Sequence, residues 1–99
     1  MARSKRSDQL LFRLGGEEFS LKFASLRKLH GDCDHTLHEI RLTRNRRDPR
    51  CELETVIHEL LHGLDPKWRE WWVGRSAEEI ADVLWRLGYR KSKDEAEIQ

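Results

Sequence analysis

Near the start of the chain, apolar and polar residues alternate in two short runs, Gln9–Leu14 and Glu17–Phe23, separated by Gly15-Gly16. Alternation with a period of two on either side of a diglycine predicts a β-hairpin. In the second run Phe19, Leu21 and Phe23 share one face, and Glu18, Ser20 and Lys22 the other. Residues 24–29 fit either a single helical turn or a loop. Gly31-Asp32-Cys33-Asp34 has the composition of a turn. Residues 36–43 alternate again and predict a further strand, with Ile40 and Leu42 inward and Glu39 and Arg41 outward. Residues 45–48 read as a polar loop.

Beyond that loop the period changes. Asp48 suits a helix N-cap and Pro49 the first helical position. Leu53, Val56, Ile57, Leu60, Leu61 and Leu64 then form the apolar stripe of a helix running to about His62, with Gly63 as a left-handed stop. Asp65-Pro66 repeats the start signal. A second helix is expected from Pro66 to Gly88, bent near Gly74, with Val73, Ala77, Ile80, Ala81, Leu84 and Leu87 inward. Ser76-Ala77-Glu78-Glu79 is a capping box and offers a competing start at Ser76. The whole pattern predicts an α+β fold, a small mixed sheet of about three strands packed on two helices. Residues 1–8 read as a disordered basic arm, 9–89 as one domain, and 90–99 as a charged mobile tail.

Composition narrows the function classes. Ninety-nine residues make one domain, and charged residues match hydrophobic ones at 37% each, so the core is thin and the surface ionic. Nineteen Lys and Arg against 18 Asp and Glu leave a net charge of +1. That balance gives no global electrostatic case for nucleic acid or acidic membranes. Two basic clusters, Arg3, Lys5 and Arg6, then Arg41, Arg44, Arg46, Arg47 and Arg50, read as solvated surface in preference to a phosphate patch. No apolar segment approaches the ~20 residues that span a bilayer. The basic N-terminus lacks the apolar stretch of a secretory signal, so a cytoplasmic location is expected. Cys33 and Cys51 are then expected as free thiols.

The candidate chemistry lies in His58-Glu59-Leu60-Leu61-His62. Residues four apart share a helical face, so both imidazoles can reach one ion and the intervening glutamate can reach water beside it. A catalytic zinc usually takes three protein ligands. Glu70, Glu78, Asp82, Asp65 and a histidine of the strand region are the candidates for the third. At 100° per residue Glu70 lies within roughly 40° of the centre of the second helix's apolar stripe, whereas Glu78 lies about 120° away. Glu78 is also about 12 Å farther along the axis. An acid on an inward face is costly unless paired or metal-bound, which favours Glu70. A helix starting at Ser76 would put Glu78 in its first turn and make it the better placed acid.

With a downstream glutamate on the next helix, the H-E-x-x-H motif resembles the gluzincin branch of the zincin metallopeptidases. More narrowly, the chain resembles small single-domain zincins, often phage-encoded. The likeness covers about residues 19–90. It takes in Gly31-Asp32-Cys33-Asp34, Glu39-Ile40-Arg41-Leu42, the motif helix, Glu70-Trp71-Trp72-Val73 and Leu84-Trp85-Arg86-Leu87-Gly88-Tyr89-Arg90. In such proteins a glutamate three residues before a valine opens the inward face of the second helix, a pattern that falls on Glu70 and Val73. The E-x-x-A-D form of several metallopeptidases falls instead on Glu78 and Asp82.

The resemblance implies a zincin core and Zn2+ held by His58, His62 and Glu70. It further implies hydrolysis of a peptide or protein substrate through a zinc-bound water, with Glu59 as general base. Residues 37–43 would bind extended substrate along a strand edge. The chain departs from the pattern in lacking a C-terminal subdomain and an evident oxyanion-stabilising residue. Tyr89 lies near the far end of the second helix, and His30, His35 and His38 read as polar loop or strand residues. A second class therefore stays open: a zinc-stabilised binding or regulatory module, DNA-associated and proteolytically weak or latent. Glu59 favours the enzyme, since a purely structural site needs no base; the small size favours the binder. Trp68, Trp71 and Trp72 lie mainly off the apolar stripe, where they could cover the sheet, line a cleft or meet a protein partner.

Overall fold

The computed structural model of the chain describes residues 9–26, 30–44 and 48–91. The expected arm at 1–8, most of the tail, and parts of the segments at 24–29 and 45–48 lie outside those residues.

β1 (Gln9–Leu14) and β2 (Glu17–Phe23) pair antiparallel across Gly15 and Gly16, whose φ angles of 60° and 82° match the two-residue turn expected of a diglycine. β3 (Gly31–Asp34) and β4 (Glu39–Leu42) form a second hairpin. β4 then pairs parallel with β2, completing a four-stranded mixed sheet of order β1-β2-β4-β3. Phe19, Leu21, Ile40 and Leu42 are buried on its inner side, with Cys33, Val56 and Leu60 packed around them.

This corrects the reading of Gly31-Asp32-Cys33-Asp34 as a turn. The turn begins four residues later, at 35–38. Asp34 initiates it by accepting hydrogen bonds from the backbone N–H groups of Thr36 and Leu37 at 2.9 and 3.0 Å. His38 closes it with φ 53°. The strand expected over 36–43 accordingly begins only at Glu39. Gly31 lets β3 come down onto the first helix. A Cβ there would stand 3.0 Å from the Arg41 carbonyl oxygen, 3.0 Å from Leu42 Cδ2 and 3.1 Å from Thr55 Cγ2.

α1 (Pro49–Leu64) starts as expected, with the Asp48 carboxylate accepting the Cys51 N–H at 3.0 Å. It does not stop at Gly63. The helix runs on to Leu64, and Gly63 instead makes room for the first hairpin, since a Cβ there would meet Leu14 Cδ2 at 2.8 Å and Phe19 Cε2 at 3.2 Å. Asp65 does not start a helix either. Its carboxylate accepts the Lys67 N–H at 2.9 Å and its carbonyl the Trp68 N–H at 3.1 Å, a single turn that delays α2 to Glu70–Leu87. Neither Pro66 nor Ser76 is the start, and the helix continues through Gly74.

Among the elements, α2 contacts only α1. Val73, Ala77 and Ala81 are wholly buried, and Ile57, Leu53, Leu61 and Leu84 complete the second core. The stripe is narrower than expected: Ile80 and Leu87 are 41% and 69% exposed. At the far end of α2, Arg90 and Lys91 are anchored, which moves the start of the expected tail. The Arg90 guanidinium lies 3.4 Å over the Trp85 ring, and Lys91 Nζ meets buried Glu52 at 2.7 Å. Cys33 and Cys51 are free thiols. Among the described residues no helix is long and apolar enough to cross a membrane.

Two glycine substitutions should move stability in opposite directions. Gly74→Ala adds a Cβ 3.9 Å from His58 Cε1, an ordinary contact, and should stabilise α2 by up to about 1 kcal/mol. Gly31→Ala crowds the β3–α1 approach and should cost about 1–3 kcal/mol. Urea titrations of the two variants check both signs.

Candidate metal centre

α1 carries His58 and His62 on one face, one turn apart, and α2 begins beside them. The two Nε2 atoms stand 3.2 Å from each other. Glu70, the first residue of α2, reaches both: Oε1 lies 2.8 Å from His62 Nε2 and Oε2 lies 3.0 Å from His58 Nε2. One ligand atom from each residue falls within 4.8 Å of the other two.

These distances test whether a metal fits. Ligand atoms bonded to zinc at 2.0–2.1 Å in tetrahedral geometry stand about 3.3 Å apart, close to the spacings here. Protons alone satisfy the group poorly. If both rings donate from Nε2 to Glu70, two N–H groups face each other across 3.2 Å. A single cation accepting a lone pair from each of the three atoms removes that conflict, so the donor set fits zinc.

The Glu70 side chain is 72% exposed. The burial argument for choosing it therefore fails, and what aims it is its place at the first position of α2, where the turn from Asp65 delivers it. Glu78 is exposed and lies outside the three-residue group. Asp82 is held by Arg50 and Arg86 at 3.4 and 3.0 Å. Asp65 serves the interhelical turn.

Glu59 lies on the sheet side of the same helix and is only 7% exposed. It makes no hydrogen bond among the described residues, yet no side-chain oxygen of theirs is both sealed from solvent and unpartnered, so its carboxyl keeps access to water. Burial pushes its pKa from the ordinary 4.5 up to about 7; His62 pulls down, while the negative charges of Asp32 and Glu70 push further up. Such a carboxyl can take and return protons near neutrality.

β3 forms the wall beside it. Cys33 points into the core, and its thiol is driven up to about 11 by burial and then by the charges of Glu59, Asp32 and Asp34, which leaves it a protonated neighbour and no nucleophile. Asp32 faces the other side of the strand, bound by Arg41 through Nε at 3.0 Å and through its terminal nitrogen. The edge assigned to residues 37–43 needs correction, because β4 lies between β2 and β3 and the sheet edges are β1 and β3. Asp32 and Cys33 were missed as site neighbours. The signal for them was their alternation within a segment read only for its Gly and Asp content.

No family model, curated protein or solved structure matches the chain. The functional reading accordingly rests on the motif and this geometry. Two of the other histidines, His35 and His38, make local contacts away from the cluster. His38 stacks on Phe19 with ring centroids 4.6 Å apart, and His35 Nδ1 lies 4.0 Å from the Cys33 sulfur. Tyr89 lines an apolar hollow of about 290 Å³ with Pro49, Leu53 and Trp85, toward the other end of the helix pair.

Two outcomes are expected. Glu70→Gln should weaken Zn2+ binding by roughly 100-fold or more while Glu78→Gln leaves it unchanged, as read by competition with a zinc chelator. In the metal-free protein Glu59 binds its proton more tightly folded than unfolded, so its contribution lowers stability as pH rises from 4.5 through about 7. Glu59→Gln should then melt a few degrees above wild type at pH 8, on the order of 1 kcal/mol, with the difference closing near pH 4.5. Thermal melts in chelator at the two pH values measure this, and an offset independent of pH would contradict it.

Proposed function

We propose that the chain is a zinc-dependent metallopeptidase of gluzincin type built on a minimal zincin-like core. The observation that carries this reading is the meeting of His58 Nε2, His62 Nε2 and the Glu70 carboxylate at one point, with Glu59 one residue along from His58. Zinc held by these three residues would supply Lewis acidity, polarising a scissile carbonyl and lowering the pKa of water.

The remaining work falls to the chain's own residues. Glu59 accepts a proton from water as the water oxygen bonds to the peptide carbonyl carbon. It passes that proton to the amine nitrogen as the C–N bond breaks, and so returns to the carboxylate. Its low exposure and lack of a protein partner suit both transfers, because no competing ion pair has to be broken. His58 and His62 would hold the ion through the Nε2 lone pairs that face Glu70. β3 is the sheet edge nearest Glu59, and an extended substrate can add to it by backbone hydrogen bonding. The 72% exposure of the Glu70 side chain leaves the centre approachable from the α2 side.

The test is digestion of a peptide library by zinc-loaded wild type and Glu59→Gln, with zinc content measured in both. Wild type should cleave and the variant should hold equal zinc while slowing by roughly a thousandfold. Equal cleavage by the two would refute the mechanism. Zinc retained with no cleavage by wild type would point to a binding or regulatory module on the same core, and absence of zinc would overturn the metal centre.

A further inference from the structure

We infer that the tryptophan-rich start of α2 is the specificity surface of this centre, and that it takes acidic peptides carrying aromatic or aliphatic side chains; this rests on the peptidase reading above. Trp68, Trp71 and Trp72 are 36%, 59% and 39% exposed. Trp68 and Trp72 lean together with ring centroids 4.8 Å apart. With Lys67, Arg69 and Trp71 they line an open hollow of about 400 Å³. Large apolar rings left to solvent in a protein with so thin a core mark a surface that is covered in use.

Charge identifies what covers it. Lys67, Arg69 and Arg75 are exposed, and none of them pairs with a carboxylate among the described residues. The nearest acid, Glu70, is turned toward the two histidines, and Glu78 and Glu79 farther along α2 make no salt bridge. Arg75 lies over the Trp71 ring at 5.6 Å, which presents a cation and an aromatic face together. The site thus offers positive charge and apolar rings; of the acids beside it, Glu70 is turned to the histidines and Asp65 is engaged by the Lys67 N–H, while unpaired Glu78 and Glu79 lie about two turns farther along α2 than Trp71.

The patch is continuous with the metal centre. Glu70 stands between Arg69 and Trp71, and adjacent Cα atoms are about 3.8 Å apart. An extended peptide advancing about 3.3 Å per residue therefore reaches the tryptophans within about two or three residues of the metal point. Stacked rings between cations also suit single-stranded nucleic acid. The overall charge of +1 and the peptide-directed arrangement on the other side of Glu70 favour the peptide.

Zinc-loaded Glu59→Gln protein separates binding from turnover. Tryptophan fluorescence would follow its titration with a short peptide bearing Leu-Phe among Asp and Glu residues, with the Lys-substituted counterpart, and with a short oligothymidylate. The acidic peptide should bind roughly tenfold or more tighter than its basic counterpart and tighter than the oligonucleotide. Arg69→Glu/Arg75→Glu should abolish that preference with zinc content unchanged, and Trp71→Ala should weaken both peptides. Equal binding of the two peptides by a zinc-holding protein, a preference that survives the charge reversal, or tighter binding of the oligonucleotide would overturn the inference alone. Failure to hold zinc would overturn the reading beneath it.

Discussion

The close packing of α2 on α1 is the constraint from which the candidate centre follows. Val73, Ala77 and Ala81 have no exposure, and the two alanines put almost nothing between the α2 backbone and Ile57. α1 is therefore shared. Leu53, Ile57 and Leu61 belong to the helix pair, while Val56 and Leu60 belong to the sheet. His58 and His62 occupy the face that remains beside the start of α2. Glu70 comes to them because α2 begins there, after the turn held by Asp65, and burial of the carboxylate plays no part.

The same helix holds its prospective base in an opposite environment. The three candidate ligands are open to solvent, Glu70 most of all, whereas Glu59 is enclosed between α1 and β3 without a partner among the described residues. Fixed ligands need only be aimed, but a base has to be kept from a competing cation. Arg41, on β4 beside β3, is committed to Asp32.

Much of this was readable from the order of residues. Period-two alternation located both strands of the first hairpin, and Asp48-Pro49 located the start of α1. The spacing of His58 and His62 needed only a helix. Projection placed Glu70 ahead of Glu78, although for a reason of burial that does not hold. What could not be read were choices made by long-range contact. Gly63 has the composition of a helix stop, yet its missing side chain accommodates Leu14 and Phe19 from the hairpin. Gly31-Asp32-Cys33-Asp34 has the composition of a turn, yet pairing with β4 makes it a strand. Asp65-Pro66 carries a valid start signal, and it was spent on a single turn. Glu52 gave no local sign that Lys91, thirty-nine positions away, would meet it.

The alignment of β3 with β4 has a consequence for folding. In the native register Cys33 opposes Ile40 and Asp32 opposes Arg41. A slip of one residue inverts every side chain of β3. Asp32 and Asp34 would then turn toward α1 and confront Glu59 in a space poor in water, while Arg41 would lose its counterion. The buried carboxyl thus acts as a gauge of strand alignment, penalising a hairpin assembled out of step.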